Sequence, residues 1–114
     1  EKSLYYAELN SFVKEKKEGL DFIIDEKGKN LSMGQIQRIA IARGLYTDAE
    51  VLIFDEFTSS LDQETQRKIL LSLNNLIGKK TIILVSHSEN VISKANKIIK
   101  LSRGPSGKVE IILK

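Results

Sequence analysis

Two short apolar runs, Val51-Leu52-Ile53-Phe54 and Ile82-Ile83-Leu84-Val85, stand on either side of an amphipathic stretch, and this arrangement limits the possible folds more than any other feature. Each run has polar flanks, the pattern of a strand buried on both faces in a parallel sheet. Between them Ile69, Leu70, Leu73, Leu76 and Ile77 make one apolar stripe at helical spacing. Ser60 and Asp62 are suitable N-caps for that helix, and Gly78 is a suitable stop. Strand, helix and strand together take about 35 positions, the length of a βαβ unit, whose crossover is nearly always right-handed. The two strands are therefore expected to run parallel, and the chain to be of the α/β class.

Helical periodicity also marks two earlier segments. Tyr5, Leu9, Phe12 and Val13 recur at i, i+4, i+7 and i+8, predicting a helix from about Leu4 through Val13 with a charged last turn closed by Gly19. Tyr5, Phe12 and Phe22 are most simply core residues. Residues 20–29 read as irregular or extended. From Ser32 to about Tyr46 a second helix is expected, with Ile36, Ile39, Ala40 and positions 42–45 facing inward. After the βαβ unit come a short helix over 89–96 and two strands, 97–101 and 108–113, around the turn 102–107. There is no internal repeat and no low-complexity stretch.

Composition removes several classes of function. Without cysteine, the 114 residues cannot form a disulfide scaffold or a Cys-ligated zinc site. The longest apolar runs are four residues, against the roughly 20 that a membrane-crossing helix needs, so any membrane contact is expected to come through a partner. Eighteen Lys plus Arg against fifteen Asp plus Glu give a net charge of +3, but the clusters at 14–17, 79–80 and 94–100 lack interleaved aromatics. They read as solvated faces, and nucleic acid is not an expected partner. Glu1 is not an initiator Met and no signal or transit peptide pattern opens the sequence, so a fragment is expected.

Chemistry is expected at the carboxyl ends of the parallel strands, where open α/β sheets bind ligands. The first strand runs into Asp55-Glu56 and the second into Ser86-His87. Consecutive strand residues point opposite ways, so the two carboxylates cannot share one task. One suits a hydrated Mg²⁺ and the other a water aimed at a phosphoryl group. The pair also reads as the plain start of a loop, and His87 as a satisfied loop residue. Leu31-Ser32-Met33-Gly34-Gln35 likewise has two readings. Ser-x-x-Gln is a capping box. Gly34 in the first turn costs about 1 kcal/mol relative to Ala, which instead fits a close backbone approach by an anion at the positive helix end.

Taken in order, Leu31-Ser32-Met33-Gly34-Gln35-Ile36-Gln37-Arg38, Val51 to Glu56, Ser59-Ser60-Leu61-Asp62 and Ser86-His87 resemble the signature motif, Walker B motif, D-loop and switch histidine of the nucleotide-binding domain of ATP-binding cassette (ABC) transporters. Ile24-Asp25-Glu26-Lys27-Gly28 is similar to the loop with which exporter-type members touch their membrane domain. Met33, Phe57 and Asp25 depart from the family pattern: a second glycine, a small residue and a glycine are usual there. No P-loop is present, because none of the seven glycines are five apart and each Gly-Lys pair lacks the following Ser or Thr.

The resemblance implies a P-loop NTPase fold represented by its C-terminal half: residues 1–46 as the end of the helical subdomain, and 47–114 as the second half of the ATPase core, with parallel strands, a crossover helix and a C-terminal β-hairpin. It implies ATP and Mg²⁺ as cofactors and ATP hydrolysis driving export in the intact protein, with the 114 residues inactive alone. Asp55 would hold Mg²⁺ through water, Glu56 would be the base, and His87 would contact the γ-phosphate. Ser32, Gly34 and Gln35 would reach nucleotide on a second, head-to-tail domain, and Asp62 would link the two sites. A transmembrane domain would hold the assembly at the cytoplasmic face of a membrane. The alternative is the C-terminal lobe of an SMC-type chromosome-tethering ATPase. It is disfavoured because residues 1–30 show no sustained heptads and Gln35 stands where that family usually has Glu. A non-hydrolytic regulatory module is disfavoured by the presence of both Glu56 and His87.

Overall fold

The computed structural model describes residues 1–103 and 109–113. Nine regular elements follow one another: α1 (Lys2–Tyr6), α2 (Asn10–Glu15), α3 (Met33–Tyr46), β1 (Val51–Asp55), α4 (Gln63–Asn74), β2 (Thr81–Val85), α5 (Glu89–Ile92), β3 (Ile99–Arg103) and β4 (Val109–Leu113). Short 3-10 turns at Gly19–Asp21 and Glu26–Gly28 carry the chain from α2 to α3. β1 and β2 pair in parallel, Val51 with Thr81 through Asp55 with Val85, joined by α4. The α/β class and the strand–helix–strand unit are as the sequence predicts.

Local chemistry sets the helix starts. At α3 the Ser32 hydroxyl accepts from the Gln35 N–H at 3.2 Å, while the Gln35 side-chain oxygen accepts from the Ser32 N–H at 2.8 Å. This reciprocal box satisfies two donors that a helix start otherwise leaves free. At α4 the Asp62 carboxylate accepts from the Thr65 N–H at 3.0 Å. The helix ends at Asn74 rather than at Gly78; Gly78, at φ +82, forms part of the turn into β2.

One core ties these pieces together. Leu52 and Phe54 of β1 point the same way and pack among Ile69, Leu70 and Leu73 of α4, Leu76, and Ile41 and Ala42 of α3, with Ala7, Leu9 and Phe12 joining from the N-terminal helices. The expectation that both strand faces are buried is corrected here. Val51 and Ile53 on β1, with Ile83 and Val85 on β2, keep about half their surface or more in solvent. Helices cover one face of this two-stranded sheet, and nothing among the described residues covers the other.

Other expectations are refined. The predicted helix from Leu4 through Val13 is two helices, because Glu8 takes a left-handed backbone, φ 55, between them. The Glu8 carbonyl accepts from the Arg38 guanidinium at 2.6 Å, which pins this break onto α3. Leu9 and Phe12 are buried as expected, but Tyr5 is exposed. α2 stops at Glu15, so Gly19 opens a 3-10 turn instead of capping a helix. Phe22 is half-buried against Phe12 at 87°, and the Lys16 ammonium sits 4.5 Å from the Phe22 ring centre. α5 is one turn, ending at Ile92. β3 and β4 pair antiparallel as a hairpin, Ile99 with Leu113 and Leu101 with Ile111. Its expected turn falls largely on 104–108, outside the described residues.

Among the described residues no helix is long and apolar enough to cross a membrane. Their radius of gyration is 16.2 Å, against roughly 13 Å for a compact domain of this length. The excess fits a protruding hairpin and a sheet covered on one side.

Candidate active site

The rim formed where β1 and β2 end carries the residues singled out in the sequence. Asp55 is the last residue of β1, exposed and on the uncovered face with Val51 and Ile53. Glu56 keeps one hydrogen bond of the ladder, its N–H donating to the Val85 carbonyl at 2.9 Å, and then turns sharply with φ 46. This turn brings Glu56 Oε1 to 3.7 Å from His87 Nε2. That distance is too long for a hydrogen bond, but short enough for attraction whenever the imidazole is protonated. The His87 ring is almost fully exposed, whereas Glu56 Oε1 is buried and has no hydrogen-bond partner. Buried polar atoms are normally paired, and this one is the exception on a side chain that otherwise keeps 44% exposure.

Two further turns hold the rim. After Glu56, the Ser59 N–H donates to the Glu56 carbonyl at 3.1 Å and the Leu61 N–H to the Thr58 carbonyl at 3.1 Å, so the chain coils tightly towards α4. Phe57, the departure without a sequence rationale, is buried in the core with its ring 5.4 Å from that of Phe54. Beyond β2, the Ser88 N–H donates to Ser86 Oγ at 3.1 Å, and buried Gln66 on α4 donates to Ser88 Oγ at 3.2 Å. His87 is thus carried on a loop that α4 fastens from beneath. Asp62 Oδ1 caps α4, and the N–H of Thr65 holds its carboxyl below the ordinary carboxylate range.

Ser32, Gly34 and Gln35 form a second cluster at the start of α3. The capping box is present, and the close backbone approach at Gly34 is made by the chain itself. A Cβ at Gly34 would lie 3.1 Å from the Ser60 carbonyl oxygen and 3.6 Å from Leu61 Cδ2. On that side the glycine makes room for the 59–61 turn. Among the described residues no hydrogen bond or ion pair joins Ser32, Gly34 or Gln35 directly to Glu56 or His87. The 59–62 turn lies between the two clusters. Sequence reading missed Gln37 and Gln66, whose amides reach partners 22 or 23 residues away; a glutamine on a helix gives no positional signal by itself.

The ABC transporter family model matches residues 7–59. The Alpha-hemolysin translocation ATP-binding protein HlyB of Escherichia coli O157:H7 is 42% identical over 98 residues, covering 86% of this chain and 14% of that protein. The ATP-dependent lipid A-core flippase of Vibrio vulnificus is 41% identical over 104 residues, covering 91% of this chain and 18% of that protein. Among solved structures, a bacterial Atm1-family ABC exporter with ATP bound superposes with a TM-score of 0.78 at 32% identity, over 85% of this chain and 17% of that one. The chain therefore spans less than one fifth of the length of each, and the chromosome-tethering alternative gains no support from these matches. With its P-loop NTPase fold and its signature, Walker B, D-loop and switch-histidine segments, the chain belongs to the ABC transporter family, as the C-terminal part of an exporter-like nucleotide-binding domain.

Proposed function

We propose that these residues supply half of an ATP-hydrolysing site whose turnover drives export across a membrane. Residues 1–46 then end the helical subdomain and 47–114 complete the ATPase core. The phosphate-wrapping P-loop is contributed by polypeptide outside this sequence. The observation that carries the reading is Glu56 Oε1, buried and unpartnered, 3.7 Å from His87 Nε2 at the carboxyl rim of two parallel strands.

In this reading Glu56 takes the proton of, or orients, the attacking water, and His87, free in solvent, contacts the γ-phosphate. The residues fit Mg²⁺ in one way only. No group of three or more His, Asp or Glu among the described residues could hold a metal by itself. Mg²⁺ commonly keeps several waters and takes one or two carboxylates plus substrate phosphates, so Asp55 would hold it through water. When bound, the ion neutralises charge on the phosphates. Ser32, Gly34 and Gln35 meet the nucleotide of a second, head-to-tail nucleotide-binding domain, and Asp62 links the two sites. A transmembrane domain holds the pair at the cytoplasmic face. The relatives named above are exporters, which supports this placement.

The test uses a full-length transporter carrying this sequence. Glu56→Gln should lower turnover by about 10²-fold or more, the usual contribution of a positioned base, while nucleotide binding persists. Retained turnover removes Glu56 from that role. The 114 residues alone should neither hydrolyse ATP nor bind it tightly; low-micromolar Mg-ATP binding in calorimetry would show that the missing phosphate cradle is unnecessary.

A further inference from the structure

Gln37 lies one helical turn after Gly34, on the same side of α3. Both ends of its amide are used on one turn: Nε2 donates to Ser59 Oγ at 2.8 Å, and Oε1 accepts from the Ser60 N–H at 3.1 Å. The neighbouring N–H groups of Ser59 and Leu61 are satisfied inside the turn by Glu56 and Thr58. Ser60 has no such internal acceptor, and Gln37 provides it. Gly34 completes the grip: a Cβ there would meet the Ser60 carbonyl oxygen at 3.1 Å, so a side chain would push that carbonyl away by a few tenths of an ångström. The gripped turn starts at the Glu56 carbonyl and ends at Asp62, the cap of α4.

We propose that Gln37 is a positioning residue: it clamps the Ser59–Asp62 turn onto α3, so that the helix start bearing Ser32, Gly34 and Gln35 and the segment from Glu56 to Asp62 shift as one body. The inference rests on the function proposed above. If α3 responds to nucleotide on a partner domain, Gln37 passes that displacement to the backbone that carries Glu56. Gln37 acts through the turn and touches no reacting atom.

Two substitutions in the full-length transporter separate this from general support of the fold. Gln37→Leu keeps helix preference and approximate volume but removes both polar atoms. Gln37→Glu keeps two oxygens, one to accept from the Ser60 N–H and one to accept from the Ser59 hydroxyl. Because small misplacements near a reaction cost up to about 10²-fold, Gln37→Leu is expected to lower kcat for ATP hydrolysis about tenfold. KM should stay within about twofold, and Gln37→Glu should restore most of kcat. Hydrogen exchange at the Ser60 amide should quicken about fivefold in Gln37→Leu, as expected for one lost hydrogen bond, and return in Gln37→Glu.

An unchanged kcat in Gln37→Leu, or a Gln37→Glu variant as slow as Gln37→Leu, overturns the inference. Glu56→Gln in the same protein tells the two claims apart. If it abolishes turnover and Gln37→Leu does not slow it, only the clamp is wrong. If Glu56→Gln retains turnover, the reading of the site is wrong. Should the wild-type protein show no turnover, Ser60 exchange still decides, and unchanged exchange in Gln37→Leu overturns the clamp.

Discussion

The uncovered side of the β1–β2 sheet should make the isolated chain associate weakly with itself, and the strength of that association can be worked out. Val51, Ile53, Ile83 and Val85 retain 52%, 66%, 46% and 47% exposure. Complete burial of such a side chain contributes about 1.5–3 kcal/mol, so covering all four would yield about 3–6 kcal/mol. The hairpin adds Ile99, Leu101, Ile111 and Leu113, which share one face of its register and are each about two-thirds exposed or more. They would yield about 4–8 kcal/mol more. Against a combined gain of about 7–14 kcal/mol stands a loss of about 4–15 kcal/mol in motional freedom on association. A surplus of about 4–8 kcal/mol lies within these ranges, and it corresponds to self-association of the 114 residues in the micromolar to millimolar range. The perturbation is Ile53→Lys, at the middle of β1 opposite Ile83. On an exposed position it should change folding stability by no more than about 0.5 kcal/mol. A charge there must lose water whenever the face is covered, so association should weaken by about tenfold or more. Sedimentation velocity from micromolar to near-millimolar protein at fixed salt is the assay. A single monomer boundary for the native sequence across that range, or equal association of the Ile53→Lys chain, would refute the reasoning.

Two further outcomes follow from the loop geometry. Gly34→Ala should gain about 1 kcal/mol of helix preference and lose about as much when its Cβ pushes the Ser60 carbonyl away and stretches the 3.1 Å bond from the Ser60 N–H to Gln37. Near-unchanged stability with faster Ser60 exchange is expected in denaturant titration and exchange measurements; a full gain with unaltered exchange would show that the turn yields freely. The Asp62 carboxylate is held below its ordinary range mainly by the backbone hydrogen bond from Thr65, so the stability it contributes is present above that range and lost as pH falls through the depressed value. Asp62→Asn keeps a capping oxygen but cannot titrate, so the acid loss of helical circular dichroism should be shallower than in the native chain. An identical acid limb would remove Asp62 from the account.

The parts legible in the sequence were those whose causes are local. The box of Ser32 and Gln35, the cap at Asp62 and the two apolar runs specify α3, α4 and the parallel strands from residues within a few positions of one another. The order of motifs then brought Glu56 and His87 to one rim, because both follow strands that run in the same direction. What escaped depends on distant neighbours. The break at Glu8 is stabilised by Arg38, 30 residues on. An apolar run gives the same signal whether one or both of its faces are covered, and here helices supply one cover only. Phe57 looked anomalous as a motif residue until the core showed the space beside Phe54 that it fills. Gly34 was legible as a close approach, but not what approaches it, since Ser60 lies 26 positions later.

Glu56 is where local stability and the proposed chemistry disagree most. A left-handed backbone at a residue with a Cβ costs roughly 1–2 kcal/mol, which glycine would avoid and asparagine would reduce. The Oε1 of Glu56 lacks a hydrogen-bond partner, on a side chain that keeps 44% exposure. The backbone demand is understandable: the chain must leave the ladder immediately after the N–H of Glu56 bonds to Val85 and close onto the N–H of Ser59 three residues later. That accounts for a left-handed residue here but not for a glutamate. A sequence chosen for stability alone would place Gly or Asn after Asp55. A left-handed backbone and an unpartnered oxygen at one residue, beside the imidazole of His87, instead fit the role in hydrolysis proposed for Glu56.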